Sequence, residues 1–117
     1  MTDTFNLTLQ ENGHSAIIHT EGYVNNLGGE KIREASDQCI AKGIRNLIIN
    51  FENSSVVNSI GISILIEVIE KIVDLEGSLT LRDLKKSTCQ VLDICGYAPH
   101  VSVNSLRSDD RKSLLYN

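Results

Sequence analysis

Apolar and polar residues alternate along Phe5-Asn6-Leu7-Thr8-Leu9-Gln10, and after the turn-forming run Glu11-Asn12-Gly13-His14 a second short stretch follows, Ser15-Ala16-Ile17-Ile18-His19-Thr20. Two such runs flanking turn chemistry predict an opening β-hairpin. The period then changes. Between Gly28 and Lys42, the residues Ile32, Ala35 and Cys39 recur at helical spacing, which predicts an amphipathic helix entered through Asn25 or Asn26 and closed by Gly43. Arg45 to Phe51 has a continuous apolar centre, the pattern of a strand buried on both faces of a parallel sheet.

A polar loop, Glu52-Asn53-Ser54-Ser55, leads through Val56-Val57-Asn58-Ser59 into a second long helical pattern. Its apolar stripe is Ile62, Leu65, Ile66, Ile69, Ile72 and Val73, with Glu67, Glu70, Lys71 and Asp74 opposite, and Glu76-Gly77 stops it. Ser78 to Arg82 alternates as a strand. Ser87 and Gln90 fit a capping box that opens a short helix to Gly96, Pro99 follows it, Val101-Ser102-Val103 reads as a last strand, and Ser105 to Leu115 as a final helix. The predicted order is ββαβαβαβα: an α/β fold of one domain over residues 1–117, with a mixed sheet packed against about four helices.

Composition narrows the functions this scaffold can serve. Thirty-five of the 117 residues are Ile, Leu or Val and only 4% are aromatic, so the core is aliphatic and stacking platforms for bases or sugars are scarce. The net charge of −4 offers no basic excess for phosphate contacts, which argues against direct nucleic-acid binding. No apolar run approaches the roughly 20 residues of a membrane span, and no secretory signal is visible, so membrane insertion is not expected and the cytoplasm is the expected compartment. Cys39, Cys89 and Cys95 are too widely spaced for a redox pair or a zinc site.

Catalytic equipment is equally sparse. His14, His19 and His100 lack metal-ligand spacing, Gly28-Gly29 lacks a phosphate-loop pattern, and Val57 stands where a nucleophile elbow would need glycine before Ser59. No enzyme signature, cofactor site or metal site is readable. Ser59 itself admits two readings. A serine just before a helix commonly caps it by accepting a backbone N–H bond. Alternatively, its hydroxyl is a phosphorylation switch, since a phosphate there would rest on the positive end of the helix.

The segment Leu47-Ile48-Ile49-Asn50-Phe51 … Val56-Val57-Asn58-Ser59-Ile60-Gly61-Ile62 resembles the signature of STAS domains, the family of anti-sigma factor antagonists. Gly22-Tyr23-Val24-Asn25, Gly77-Ser78-Leu79-Thr80-Leu81 and Val91-Leu92-Asp93-Ile94-Cys95-Gly96-Tyr97 resemble further family motifs in the same order. The resemblance implies that Ser59 is phosphorylated by a partner anti-sigma factor that is also a serine kinase, and that Asn25, Asn58, Ile60, Gly61 and Ile62 contact that partner. It implies a regulator of transcription that is acted upon and is not an enzyme. Homodimerisation is left open.

This sequence departs from the family pattern where acidic residues have become Asn25, Asn50 and Asn58, and where a second Ser/Thr has become Ile60. The loss of carboxylates lowers the negative potential around Ser59 but removes contacts a family kinase can require. The alternative function is therefore an adaptor that is not phosphorylated, in a lipid-transport or other signalling complex. Val56, Val57 and Ile60 gather beside Ser59 outside the main stripe, and those of them that are exposed form a docking surface.

Overall fold

The opening alternation folds as β1 (Phe5–Asn12) and β2 (Ser15–Gly22), an antiparallel hairpin in which Asn12 faces Ser15 across the loop Gly13-His14. Gly13 supplies the positive φ of 64° that such a tight turn needs. The chain then runs through α1 (Asn26–Ala41), β3 (Asn46–Asn53), α2 (Ser59–Asp74), β4 (Ser78–Arg82) and β5 (Ser102–Asn104). This computed structural model describes residues 4–54, 56–85, 88 and 102–104.

The strands lie in the order β1-β2-β3-β4-β5, antiparallel at the hairpin and parallel thereafter. Parallel neighbours require crossover helices, and α1 and α2 supply them between β2 and β3 and between β3 and β4. Both crossovers step the same way across the sheet, so right-handed connections place both helices on one face. That face buries Ala16 and Ile18 of β2, Leu47, Ile49 and Phe51 of β3, and Leu79 and Leu81 of β4.

The expectation of about four helices in the order ββαβαβαβα is corrected: the described residues form two helices, and the four main strands follow the order ββαβαβ with β5 added beside β4. The two further helices expected over 87–96 and 105–115 lie outside the described residues, Thr88 excepted. In sequence, that part of the count rested on a capping box and a few apolar positions, a weaker signal than the sustained stripes of α1 and α2. The reading of β3 as buried on both faces is also half met. Ile48 points away from the helices and is only half-buried, because the two crossovers cover the opposite face.

Helix α1 buries Ile32, Ala35 and Cys39, as the spacing predicts, and ends where Gly43 takes φ 92°. The N–H groups of Gly43 and Ile44 return to the carbonyls of Ile40 and Cys39, so the last turn closes on itself. Helix α2 is rotated from its predicted stripe: Ile64, Leu65, Val68, Ile69 and Ile72 are buried, while Ile62, Ile66 and Val73 flank the core half-buried. Two ion pairs tie the helices along their outer seam, Arg33 to Glu67 at 2.7 Å and Lys71 to Asp37 at 2.6 Å. Arg33 also pairs with Glu30 on its own helix. These surface pairs are screened by solvent, so the buried aliphatic seam carries the packing.

Candidate functional site

Parallel strands bring the starts of α1 and α2 to the same end of the sheet. The loops entering the helices are laced together: Val24 forms a parallel bridge with Val57, its N–H donates to the Val56 carbonyl at 2.9 Å, and Asn58 N–H donates to the Val24 carbonyl at 3.0 Å. Gly61 makes this approach feasible. A Cβ on Gly61 would stand 2.6 Å from the Val24 carbonyl oxygen, so only glycine lets the first turn of α2 sit against the loop before α1.

Each helix then begins with the same local chemistry. Asn25 caps α1 by accepting the Gly28 N–H at 3.0 Å, and Asn58 caps α2 by accepting the Gly61 N–H at 2.7 Å. The capping role that sequence position suggested for Ser59 therefore belongs to its neighbour. Ser59 is the first residue inside α2 and is exposed, and among the described residues its hydroxyl makes no hydrogen bond. Its backbone carbonyl accepts from Ser63 Oγ at 3.1 Å, which is ordinary within a helix.

Of the residues singled out from the sequence, Asn25, Asn58, Ser59, Ile60 and Gly61 come together at this end. Ile60 is 52% exposed and Gly61 is buried, shaping the backbone rather than touching solvent. Ile62 is half-buried against the core. Val56 is 50% exposed, whereas Val57 packs inward. Sequence reasoning missed Leu27, which at 60% is the most exposed large hydrophobic side chain among the described residues. Its signal was present. Asn25-Asn26-Leu27-Gly28 and Asn58-Ser59-Ile60-Gly61 repeat one pattern, a capping Asn, an exposed aliphatic two residues later, and a glycine whose N–H meets the cap.

Neither first turn contains an acidic residue, so the positive ends of both helix dipoles are uncompensated at this surface. The end is also held firmly from below. The Thr20 hydroxyl is shared between Ser54 Oγ at 2.8 Å and the Asn50 carbonyl at 3.2 Å, all buried, and Ser54 N–H returns to the Phe51 carbonyl at 2.9 Å. Asn50, expected beside the switch, lies elsewhere. Its side-chain oxygen accepts the Glu52 N–H at 2.9 Å and its amide nitrogen sits 3.3 Å from His19 Nδ1, on the sheet face away from the helices. His19 Nε2 in turn meets Gln10 Oε1 at 3.1 Å, so this histidine is a bridging group between strands.

Among the described residues, no cluster of three His, Cys, Asp or Glu side chains could hold a metal, and no helix is long and apolar enough to cross a membrane. Among the described residues, the arrangement presents the Ser59 hydroxyl with no activating partner, at the same end of the sheet as the exposed side chains of Leu27, Val56 and Ile60.

Residues 6–109 match the family model of the STAS domain. The fold is similar to that of the Bacillus cell fate determinant SpoIIAA in its phosphorylated form, at 18% identity and a TM-score of 0.70, covering 92% of this chain and 99% of that one. It is also similar to an anti-sigma factor antagonist from Mycobacterium paratuberculosis, at 14% identity and a TM-score of 0.74, with 97% of each chain covered. The murine anion transporter Slc26a9 contains a similar fold, at 17% identity and a TM-score of 0.59, matching 92% of this chain but 19% of the transporter. At these identities the likeness is one of fold. No curated protein sequence gives a significant match.

Proposed function

The chain belongs to the STAS domain family, and on that premise we propose that it is an anti-sigma factor antagonist whose binding to an anti-sigma factor with serine kinase activity is switched by phosphorylation of Ser59. The observation that carries this reading is the presentation of Ser59. It is exposed at the first position of α2, relieved of capping by Asn58, and bordered by the exposed side chains of Val56 and Ile60, with Leu27 at the same end.

The switch follows from where a phosphate would be welcome and where it would not. The kinase would transfer the γ-phosphoryl group of ATP to Ser59 Oγ, which gives up its proton as ADP leaves. On the domain itself the added dianion sits at a helix N-terminus with no acidic neighbour in the first turn, so the fold accepts it. Against a partner pressed onto Leu27, Val56 and Ile60, the same dianion must be desolvated in an apolar contact. That costs several kcal/mol, and each 1.4 kcal/mol weakens binding about tenfold. The unmodified chain binds and the phosphorylated chain is released, with no remodelling of the domain. The chain is the substrate of this chemistry, and its effect on transcription is indirect.

The test is capture from the chain's own cells with the tagged protein and its Ser59→Asp variant. The reading predicts that the parent retains a protein that phosphorylates it with ATP, and that Ser59→Asp lowers this capture at least tenfold. Leu27→Ser and Ile60→Ser weaken it without changing the melting temperature. Equal capture by parent and Ser59→Asp would rule out charge control of the contact and would favour an adaptor that is not phosphorylated.

A further inference from the structure

Strand β1 forms one edge of the sheet, and the opposite edge is the three-residue β5. The hairpin decides which backbone groups β1 turns outward. Asn12 and Ser15 close the two-residue loop as a hydrogen-bonded pair, so the alternate residues Gln10, Thr8 and Asn6 also bond to β2. Phe5, Leu7, Leu9 and Glu11 therefore direct N–H and C=O away from the sheet. Among the described residues this row receives one bond, from Lys31 Nζ to the Phe5 carbonyl at 3.4 Å.

Edges that remain in water usually carry a lysine, a proline or a bulge that blocks another strand. The run from Phe5 to Gln10 has none of these: it is uncharged, lacks proline, and keeps an unbroken register with β2. Leu7 and Leu9 on it are only half-buried. A groove of about 330 Å³, lined by Asn6, Leu7, Lys31, Glu34, Ala35 and Gln38, opens between this edge and α1.

We propose that β1 is a homodimerisation edge, pairing antiparallel with β1 of a second copy of this chain about a twofold axis at Thr8. The register argues for this occupant. Centred on Thr8, Leu7 faces Leu9 of the other copy, Asn6 faces Gln10, and Phe5 faces Glu11. In the two pairs next to the axis, leucine meets leucine and amide meets amide. The Glu11 carboxylate, whose Oε2 holds Lys42 at 2.8 Å in its own chain, arrives with its second oxygen beside the Lys31 ammonium that already rests on Phe5, and the twofold makes this opposite-charge contact twice. Moving the axis to Leu7 would set Asn6 against Thr8 and lose the Glu11 to Lys31 pairing. Because Ser59 follows β3, two strands in from this edge, the dimer leaves both Ser59 surfaces open.

The test uses the full chain. Light scattering on the parent is expected to give a dimer in the micromolar range, unchanged by Ser59→Glu, which separates this proposal from the phosphorylation reading. Mild oxidation of Thr8→Cys is expected to give a disulfide dimer, since directly opposed residues have Cβ atoms about 4.5–5.5 Å apart. Asn12→Cys, which the pairing places roughly 27 Å from its own copy, should stay uncrosslinked like the parent. Lys31→Glu should weaken the dimer at least tenfold with its circular dichroism and melting unchanged. A parent that is monomeric throughout the micromolar range overturns the proposal, including the case in which residues 105–117 of the same chain occupy the edge. A dimer that Thr8→Cys fails to cross-link overturns it as well.

Discussion

Asn58 Oδ1 takes the N–H of Gly61 at 2.7 Å, and this one bond frees the Ser59 hydroxyl that stands between them in the chain. The same bond between Asn25 and Gly28 starts α1, so both helices are capped without spending the residue that follows the cap.

The division of labour predicts opposite results at adjacent positions. Asn58→Ala should cost about 1 kcal/mol, the usual value of a lost N-cap, and lower the melting temperature by roughly 4–8 °C. Ser59→Ala should change stability by less than about 0.5 kcal/mol, the range of an ordinary surface substitution. Thermal melts of the two variants decide it; a Ser59→Ala loss as large as that of Asn58→Ala would return the cap to Ser59.

A negative charge at Ser59 should stabilise the isolated domain. With no acidic group in the first turn of α2, Ser59→Glu adds a favourable interaction with the helix dipole of about 0.3–1 kcal/mol at low ionic strength. Urea denaturation should show the gain at low salt and its decline in 1 M salt, where screening reaches a few ångströms. A charge that destabilises the free domain would mean that release of the partner involves loosening the fold.

The end of α2 offers a stabilising substitution. Glu76 adopts φ 60° in the left-handed region, with its N–H on the Val73 carbonyl and that of Gly77 on the Ile72 carbonyl. A side chain is disfavoured there by roughly 1–2 kcal/mol, so Glu76→Gly should raise stability by about 1 kcal/mol even though glycine usually lowers it. Gly77→Ala should do the reverse, since its Cβ would lie 2.4 Å from the Arg45 carbonyl oxygen. Paired melting curves test both signs.

Burial pushes the Cys39 thiol above its ordinary range, and the nearby Glu11 carboxylate adds to the shift. The folded state therefore holds this proton more tightly than the unfolded chain does. Stability from this group is complete below the unfolded thiol value and is lost as pH rises from there toward the raised folded value. Alkylation followed by peptide mapping should find Cys39 slow to react at pH 8 in the native protein and fast in denaturant.

Much of the scaffold was legible because its signals are local and periodic. The hairpin around Gly13, the helix carrying Ile32, Ala35 and Cys39, and the stop at Gly43 each follow from a few neighbouring residues. What depends on packing was not legible. The stripe of α2 is ambiguous in a helix where nine of sixteen residues are Ile, Leu or Val, and only contact with α1 and the sheet selects Ile64 and Val68 over Ile62 and Ile66. The pair Glu76-Gly77 marks the stop of α2 in sequence without dividing the roles within it: Glu76 takes the left-handed conformation, and close approach to the Arg45 carbonyl accounts for the glycine. Asn50 seemed part of the Ser59 surface because both lie in one motif, but strand alternation turns its side chain to the other face. Leu27 lies 32 positions from Ser59 in sequence and reaches the same end only through the parallel pairing of β2 with β3.

The most direct measurement is phosphopeptide mass spectrometry on the chain purified from its own cells and again after incubation with the captured partner and ATP, alongside Ser59→Ala. The account predicts phosphate on the peptide containing Ser59, localised to that residue, increasing on incubation, and absent in the variant. A chain that carries no phosphate on Ser59 under either condition, while the partner still binds it, would contradict the switch.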